Sequence, residues 1–316
     1  MQEIEKTSLD EMITDETSQN EIPKEESLKE KLVKEKVLSI FKYILIYSFL
    51  VAGAVSVIFP FYWMFSTSLK PFEYYYSYYG SPGATDFLPK QITFSNYAEA
   101  WQMVSLGKYM INTLVFSLIT TVLLLVTSVL AAFAFARLEF KGKEIVFTIY
   151  LATMMIPMEL FTITNYATIV NLNLRDTLVG LVMPSVMSVF YIYLLRQNFQ
   201  QVPDEIYHAA KMDGTSDFKY MMKVLVPINK PTIISITILK FIECWNSYVW
   251  PRLVTTKEGN YLISNGIEIL RTSGFGRENI PAMMAAVVCV CLPLLIMFII
   301  FRDQIMNGVA KGGTKG

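Results

Sequence analysis

Residues 203–231 form the stretch PDEIYHAAKMDGTSDFKYMMKVLVPINKP, a polar passage between apolar segments long enough to cross a membrane. Asp204 to Met212 suits a short helix, and Gly214 tolerates the left-handed backbone that closes a helix C-terminus. Thr215, Ser216 and Asp217 then offer N-caps for a second helix, on which Phe218, Met221, Met222 and Leu225 fall at i, i+3, i+4 and i+7. That face wants an apolar partner. Ala209 and Ala210 add no bulk to the first helix, so another protein could approach its backbone closely. The pattern predicts a docking element inside a membrane protein.

Composition outside this stretch agrees. Hydrophobic residues make up 53% of the 316, charged residues 17%, and mean hydropathy is +0.40. Apolar runs predict an all-α, polytopic chain with six transmembrane helices near 41–67, 110–136, 145–164, 177–195, 231–250 and 280–301. The third run carries Pro157 and Glu159, and the fifth carries Lys240 and Glu243, which a span accepts where it faces a bundle interior. Residues 1–36 lack hydrophobic periodicity, with nine acids against two lysines over positions 1–26, and are expected to be a disordered tail. The first apolar run is too long for the core of a cleavable signal peptide.

Lysine and arginine distribution sets the expected orientation. Lys29, Lys31, Lys34, Lys36 and Lys42 precede the first span, and Arg137, Lys141 and Lys143 fill the second-to-third connection, so both belong inside. The fourth-to-fifth connection, with Arg196, Lys211, Lys219, Lys223 and Lys230, then also falls inside, where a docking loop is useful. Both termini are expected in the cytoplasm. The fifth-to-sixth loop breaks the rule, holding Arg252, Lys257, Arg271 and Arg277 while assigned outside.

The 203–231 stretch resembles the EAA loop of ABC-importer membrane subunits, in particular the six-helix, maltose-type permease of the carbohydrate-uptake branch. Ala209-Ala210, Gly214 four residues later and Pro227 thirteen beyond that match the family spacing without a gap. Asp213 and the closing Pro231 fit it too, whereas His208, the chain's one histidine, stands where the family has glutamate. The resemblance extends from about residue 38 to the C-terminus through Thr67-Ser68-Leu69-Lys70, Asn96-Tyr97, Trp101, Asn112, Met154-Met155-Ile156-Pro157, Trp245-Asn246, Trp250-Pro251 and a glycine-ended tail from Gly308.

This resemblance implies a non-catalytic permease subunit of the bacterial cytoplasmic membrane, working by alternating access. The implied partners are a second permease subunit, two ATP-binding subunits that bind ATP and magnesium, and an extracytoplasmic solute-binding protein. A carbohydrate, expected to be an oligosaccharide, is the implied cargo, and the bilayer is the surrounding solvent. Coupling to the ATPase would run through Glu205, His208, Ala209, Ala210, Asp213, Gly214 and Pro227. In the maltose-type subunit the fifth-to-sixth loop reaches into the opened binding protein, and Gly259, Gly266, Gly274 and Gly276 would let the corresponding loop bend here.

Physical reasoning alone places the cargo path at charges within spans. Lys240 lies about ten residues into the fifth span, roughly 15 Å deep, near the midplane of a core about 30 Å thick. Glu243 follows at i+3 as an internal ion partner, and Glu159 and Asn246 complete the candidate path residues. Trp63 and Trp250 suit an aromatic belt at the lipid interface, and Tyr74, Tyr75, Tyr76, Tyr78 and Tyr79 cluster in the first outer loop.

Cys244, Cys289 and Cys291 fall in expected spans with no metal-ligand spacing, and no phosphate-binding glycine loop, H-E-x-x-H or G-x-S-x-G occurs. No cofactor, metal or nucleic acid is expected. Two other classes compete: a secondary transporter, for which repeat symmetry between halves is expected and none is visible, and a membrane scaffold, which leaves Lys240 unexplained.

Overall fold

The computed structural model describes residues 25–77, 87–273 and 279–313, with side chains described within 33–75, 87–273 and 279–304. These residues form helices and turns with no strand among them. The chain divides at Trp63 into two compact units. The first is carried by helix α1 (Glu25–Ser68), which begins inside the stretch expected as a disordered tail. Its start follows from the run of strong helix formers ESLKEKLVKEK, with Glu and Lys at helical spacing. Residues 1–24 of that expected tail lie outside the described residues.

The second unit contains α2 (Phe72–Ser77), α3 (Ser95–Met103), α4 (Leu106–Arg137), α5 (Lys143–Ala152), α6 (Thr162–Asn171), α7 (Leu178–Val182) and α8 (Val189–Gln200). It continues through α9 (Asp204–Met212), α10 (Asp217–Tyr220), a π-helical turn (Met221–Leu225), α11 (Val226–Ile228) and α12 (Lys230–Trp245). Helices α13 (Val249–Val254), α14 (Ile263–Thr272) and α15 (Ile280–Gly313) complete it.

Helix α4 is the hub, packing on α12, α8 and α14. Its buried positions Thr113, Phe116, Ser117, Thr120, Thr121, Leu124, Ser128 and Ala132 keep helical spacing. Most are small, which lets the neighbouring helix axes approach closely where apolar solvent supplies no hydrophobic drive.

Among the described residues three helical segments are long and apolar enough to cross a membrane, Val33–Ser68, Leu106–Arg137 and Ile280–Gln304. Three bent pairs raise the count to six if each is one span. At Pro157 the third expected span is broken by 86° between Lys143–Met155 and Met158–Asn171, because Pro157 takes an extended ψ of 131° and cannot donate to the preceding turn. The pair around Pro184 bends by 51°, and the pair Asp217–Ile228 with Lys230–Trp245 by 82°.

Several motif residues turn out to be joints of the fold. Asn96 donates its amide to the carbonyls of Ser68 and Lys70, both at 2.8 Å, and the Ser68 hydroxyl lies 2.8 Å from the Tyr97 hydroxyl. Asn112 donates to the carbonyls of Gly259 and Tyr261 at 3.0 and 2.9 Å. Trp250 is half-buried and donates its indole N–H to Leu181 O at 3.1 Å. Tyr75 is buried, while Tyr78 and Tyr79 lie outside the described residues.

In the described part of the fifth-to-sixth connection the two glycines are not hinges. Gly259 and Gly266 have negative φ, and Gly266 sits within α14 because the Tyr109 ring leaves no room for a side chain. Gly274 and Gly276 lie outside the described residues. A Cβ at Gly266 would fall 2.6 Å from Tyr109 Cδ2, whereas one at Gly259 meets only Lys108 Nζ at 3.5 Å. Gly266→Ala is therefore expected to destabilise the protein by about 1–3 kcal/mol, as overpacking does, and Gly259→Ala to leave it near wild type. Thermal unfolding in detergent checks the pair, and equal melting temperatures for both variants would disprove the contact.

Candidate functional site

The first half of the polar stretch closes as its sequence demands. Asp213 caps α9, Gly214 takes φ +72°, and the N–H groups of Gly214 and Thr215 return to the carbonyls of Lys211 and Ala210 at 3.0 and 2.9 Å. This is the Schellman arrangement, which satisfies the last carbonyls of a helix and calls for glycine at the left-handed position. The chain then re-enters helix at once, with the Ser216 hydroxyl accepting from Lys219 N–H at 3.4 Å.

A polar joint locks the two short helices together. Asp217 accepts from the Tyr207 hydroxyl at 2.6 Å and pairs with Lys211 Nζ at 2.6 Å. The Lys211 and Tyr207 hydrogen bonds hold the Asp217 carboxyl below its ordinary range. Burial, followed by the bond to Asp217, pushes the Tyr207 phenol up to about 12. Tyr207 also meets Tyr220 edge-on at 5.0 Å between ring centroids, which carries the joint into the core.

Below that joint the hub helix α4 ends in Arg137, whose side chain is 2% exposed. Its guanidinium pairs with Asp204 in the first turn of α9 and donates to the carbonyls of Phe199, at 2.6 Å, and Val202. Helix α8 ends at Gln200; Phe199 O lies in its last turn and also accepts from Val202 N–H at 3.3 Å, while Val202 belongs to the turn that leads into α9. Arg196 makes a parallel brace, one terminal nitrogen donating to both Glu144 oxygens at 2.8 and 2.9 Å and Nε donating to Phe135 O at 3.1 Å, with the guanidinium 3.9 Å from the Phe147 ring centroid. Sequence reasoning took both arginines only as markers of orientation. A charge count carries no geometry, and nothing in the sequence separates them from Lys141 or Lys219.

The expected apolar face of the second helix splits in two. Met221 and Leu225 are buried in a core cluster with Phe199, Tyr191 and Ile236, whereas Phe218 and Met222 point out, 65% and 48% exposed. Each pair keeps its i, i+4 face, Met221 with Leu225 inward and Phe218 with Met222 outward, and the split falls between the pairs where the chain enters the π-helical turn at Met221–Leu225. Met212, 85% exposed, adds to the apolar surface of this element. Ala209 is exposed as expected, while Ala210 is half-buried and packs inward on the same cluster. Glu205, His208, Asp213 and Pro227 are exposed. His208 also lines a cleft of about 430 Å³ with Arg137, Glu139, Lys143, Asp204 and Tyr207.

Of the four candidate path residues, the structure joins two. Lys240 is buried, and its ammonium lies 2.7 Å from Glu243, whose other oxygen is 3.5 Å from the Tyr191 hydroxyl. Glu159 stands exposed on the turn Met158–Phe161. Asn246, beyond the end of α12, lines a separate cavity of about 330 Å³ with Trp245, Tyr248, Ser264, Glu268 and Arg271.

Residues 125–310 match the family model described as binding-protein-dependent transport system inner membrane component. An arabinooligosaccharides transport system permease protein of Bacillus subtilis is 30% identical over 232 residues, covering 73% of this chain and 82% of that protein. A diacetylchitobiose uptake system permease protein of Streptomyces coelicolor is 26% identical over 268 residues, 84% and 87% of the two chains. Among solved structures, a bacterial ABC transporter involved in the import of the acidic polysaccharide alginate superposes with a TM-score of 0.74 at 22% identity, over 85% of this chain and 97% of that one. That likeness establishes the shared fold.

Two substitutions test the geometry. Arg137→Met removes charged donors from the Phe199 and Val202 carbonyls, each bond worth roughly 1.5–3 kcal/mol. Faster amide exchange across 201–214, with the α4–α12 contact still protected, is the expected result; uniform exchange would show that the brace is idle. Gly214→Val forces a β-branched residue into left-handed backbone at a cost of at least about 1–2 kcal/mol. Uptake is expected to be abolished with membrane insertion intact, and normal uptake would remove the role of the turn.

Proposed function

Because the chain belongs to the family of binding-protein-dependent transport system inner membrane components, we propose that it is the permease subunit of an ATP-driven carbohydrate importer and docks a separate ATPase through α9 and α10. The observation that carries the docking role is the exposed apolar group of Met212, Phe218 and Met222 on a helix pair anchored from below by buried Arg137. Large apolar side chains grouped at a protein surface mark a partner site. Anchoring from the core side means that force applied at this surface moves α4 and α8 rather than a free loop.

In this reading the chain supplies half of a translocation path in the cytoplasmic membrane and a second permease subunit supplies the other half. Two ATP-binding subunits hold ATP and magnesium, and both termini lie in the cytoplasm. Glu205, His208, Ala209, Asp213 and Pro227 form the exposed rim that faces the ATPase, while Ala210 and Gly214 shape the turn behind it. Lys240, Glu243, Asn246 and Glu159 are assigned to the path. Relatives named for arabinooligosaccharide and diacetylchitobiose transport favour an oligosaccharide cargo.

Affinity purification of the full chain from its native membrane tests the proposal. An ATP-binding subunit and a second permease should copurify, and ATP hydrolysis should rise when a saccharide-loaded binding protein is added. A chain that purifies alone and drives uptake after ATP depletion, on an ion gradient, would be a secondary transporter.

A further inference from the structure

The cavity beside Asn246 lies at the far end of α12 from the docking helices. Trp245 closes α12 about 22 Å beyond Lys230 at 1.5 Å per residue. With the docking helices in the cytoplasm, that rise carries Trp245 toward the outer side of a hydrocarbon core about 30 Å thick. There the end of α12, the turn after it, α14 and Val290 of α15 enclose about 330 Å³, within the size range of small-ligand pockets.

Its lining is part apolar and part polar, and both parts are held in place. Trp245 and Ile263 are buried, Ile267 and Val290 are half-buried, and Asn246, Tyr248 and Arg271 are exposed. The Trp245 indole N–H donates to Val290 O at 3.3 Å, and its ring stacks on Phe241 at 5.9 Å between centroids. Buried Glu268 fixes the polar side. It accepts from Arg271 Nε and Nη2 at 2.9 Å each and from the Tyr248 hydroxyl at 3.1 Å, and it pairs with Arg252 at 3.1 Å. Walls fixed in advance lose little freedom when a ligand binds.

Two polar groups of this lining hold nothing in the protein. The Ser264 hydroxyl is buried without a hydrogen-bond partner, and among the described residues the Asn246 amide forms no side-chain hydrogen bond. A buried hydroxyl left unmatched is uncommon in folded chains and calls for an occupant that supplies the bond. Water suits a polar site, whereas the aromatic and aliphatic walls here also ask for an apolar face. A sugar ring offers both. Its C–H faces suit Trp245 and Tyr248, and its hydroxyls suit Ser264, Asn246 and the Arg271 donors that Glu268 leaves free.

The cavity is continuous with the charged pair assigned to the path. Asn246 follows Glu243 at i+3, about 4.5 Å further along the axis, and both side chains are exposed on that face. Glu243 in turn holds buried Lys240 at 2.7 Å. A ring leaving the cavity toward the cytoplasm would meet Glu243 next.

We propose that Trp245, Asn246, Tyr248, Ser264 and Arg271 form a subsite that holds one sugar ring of the cargo at the outer end of the path. The inference rests on the importer reading and gives this subunit a saccharide contact of its own.

The test follows uptake of labelled arabinotriose and diacetylchitobiose by the complete transporter in proteoliposomes, with its binding protein outside and ATP inside. Whichever saccharide the wild type carries faster is the probe for Asn246→Ala/Ser264→Ala. Neither side chain bonds to the protein, so the variant should keep its partner subunits and melt with the wild type. Loss of two neutral hydrogen bonds should lower the maximal uptake rate about 10-fold or more. Unchanged uptake overturns the subsite alone. So does a loss of uptake that comes with a lower melting temperature or a missing subunit, which would make both side chains structural. A wild type that imports neither saccharide overturns the oligosaccharide-importer reading and this inference with it.

Discussion

One buried guanidinium fixes the rest of the polar stretch in place. Arg137 ends the hub helix α4 and donates to Asp204 and to the carbonyls of Phe199 and Val202. A charge this buried is tolerated when its hydrogen-bonding geometry is met by fixed partners. Meeting it forces the end of α8 and the start of α9 against α4, and everything mounted on α9 inherits that position. The Schellman turn at Gly214 and the Tyr207–Asp217–Lys211 joint then orient α10 from α9. Arg196 repeats the device one helix away, holding α5 to α8 through Glu144.

Local chemistry made this element legible in the sequence. Gly214 sits where a left-handed residue must, Ser216 caps as short polar residues do, and Lys240 with Glu243 pairs at i, i+3 because an unpaired mid-span ammonium is too costly. Motif residues such as Asn96, Asn112 and Trp250 were legible as a resemblance but not as a cause. Their amide and indole groups bridge segments up to 149 positions apart in the chain, and pairing at that separation leaves no local pattern.

What escaped the sequence has its own physical reasons. The i, i+3, i+4, i+7 pattern merged two adjacent faces, so Phe218 and Met222 were grouped with Met221 and Leu225 although only the latter pair is buried. The arginine braces were hidden because topology rules weigh a charge by side of the membrane and ignore what its donors reach. The early start of α1 was hidden because net acidity over positions 1–26 outweighed the helix-forming lysines and glutamates that follow.

Helix α8 joins the two places that the proposed transport cycle must connect. Near its end, Phe199 is gripped by Arg137 of the hub, and eight residues earlier Tyr191 lies against Glu243 of α12, a separation of about 12 Å along a continuous helix. Helix α12 is reached a second time through Leu225 and Ile236, which share one core cluster with Phe199 and Tyr220. A displacement applied at α9 therefore has two packed routes to the Lys240–Glu243 pair, one along α8 and one through the π-helical turn. Close-packed interiors transmit such displacements because they have no voids to absorb them. The 82° corner between Asp217–Ile228 and Lys230–Trp245 lies on the second of these routes, where the chain turns from the π-helical segment into α12.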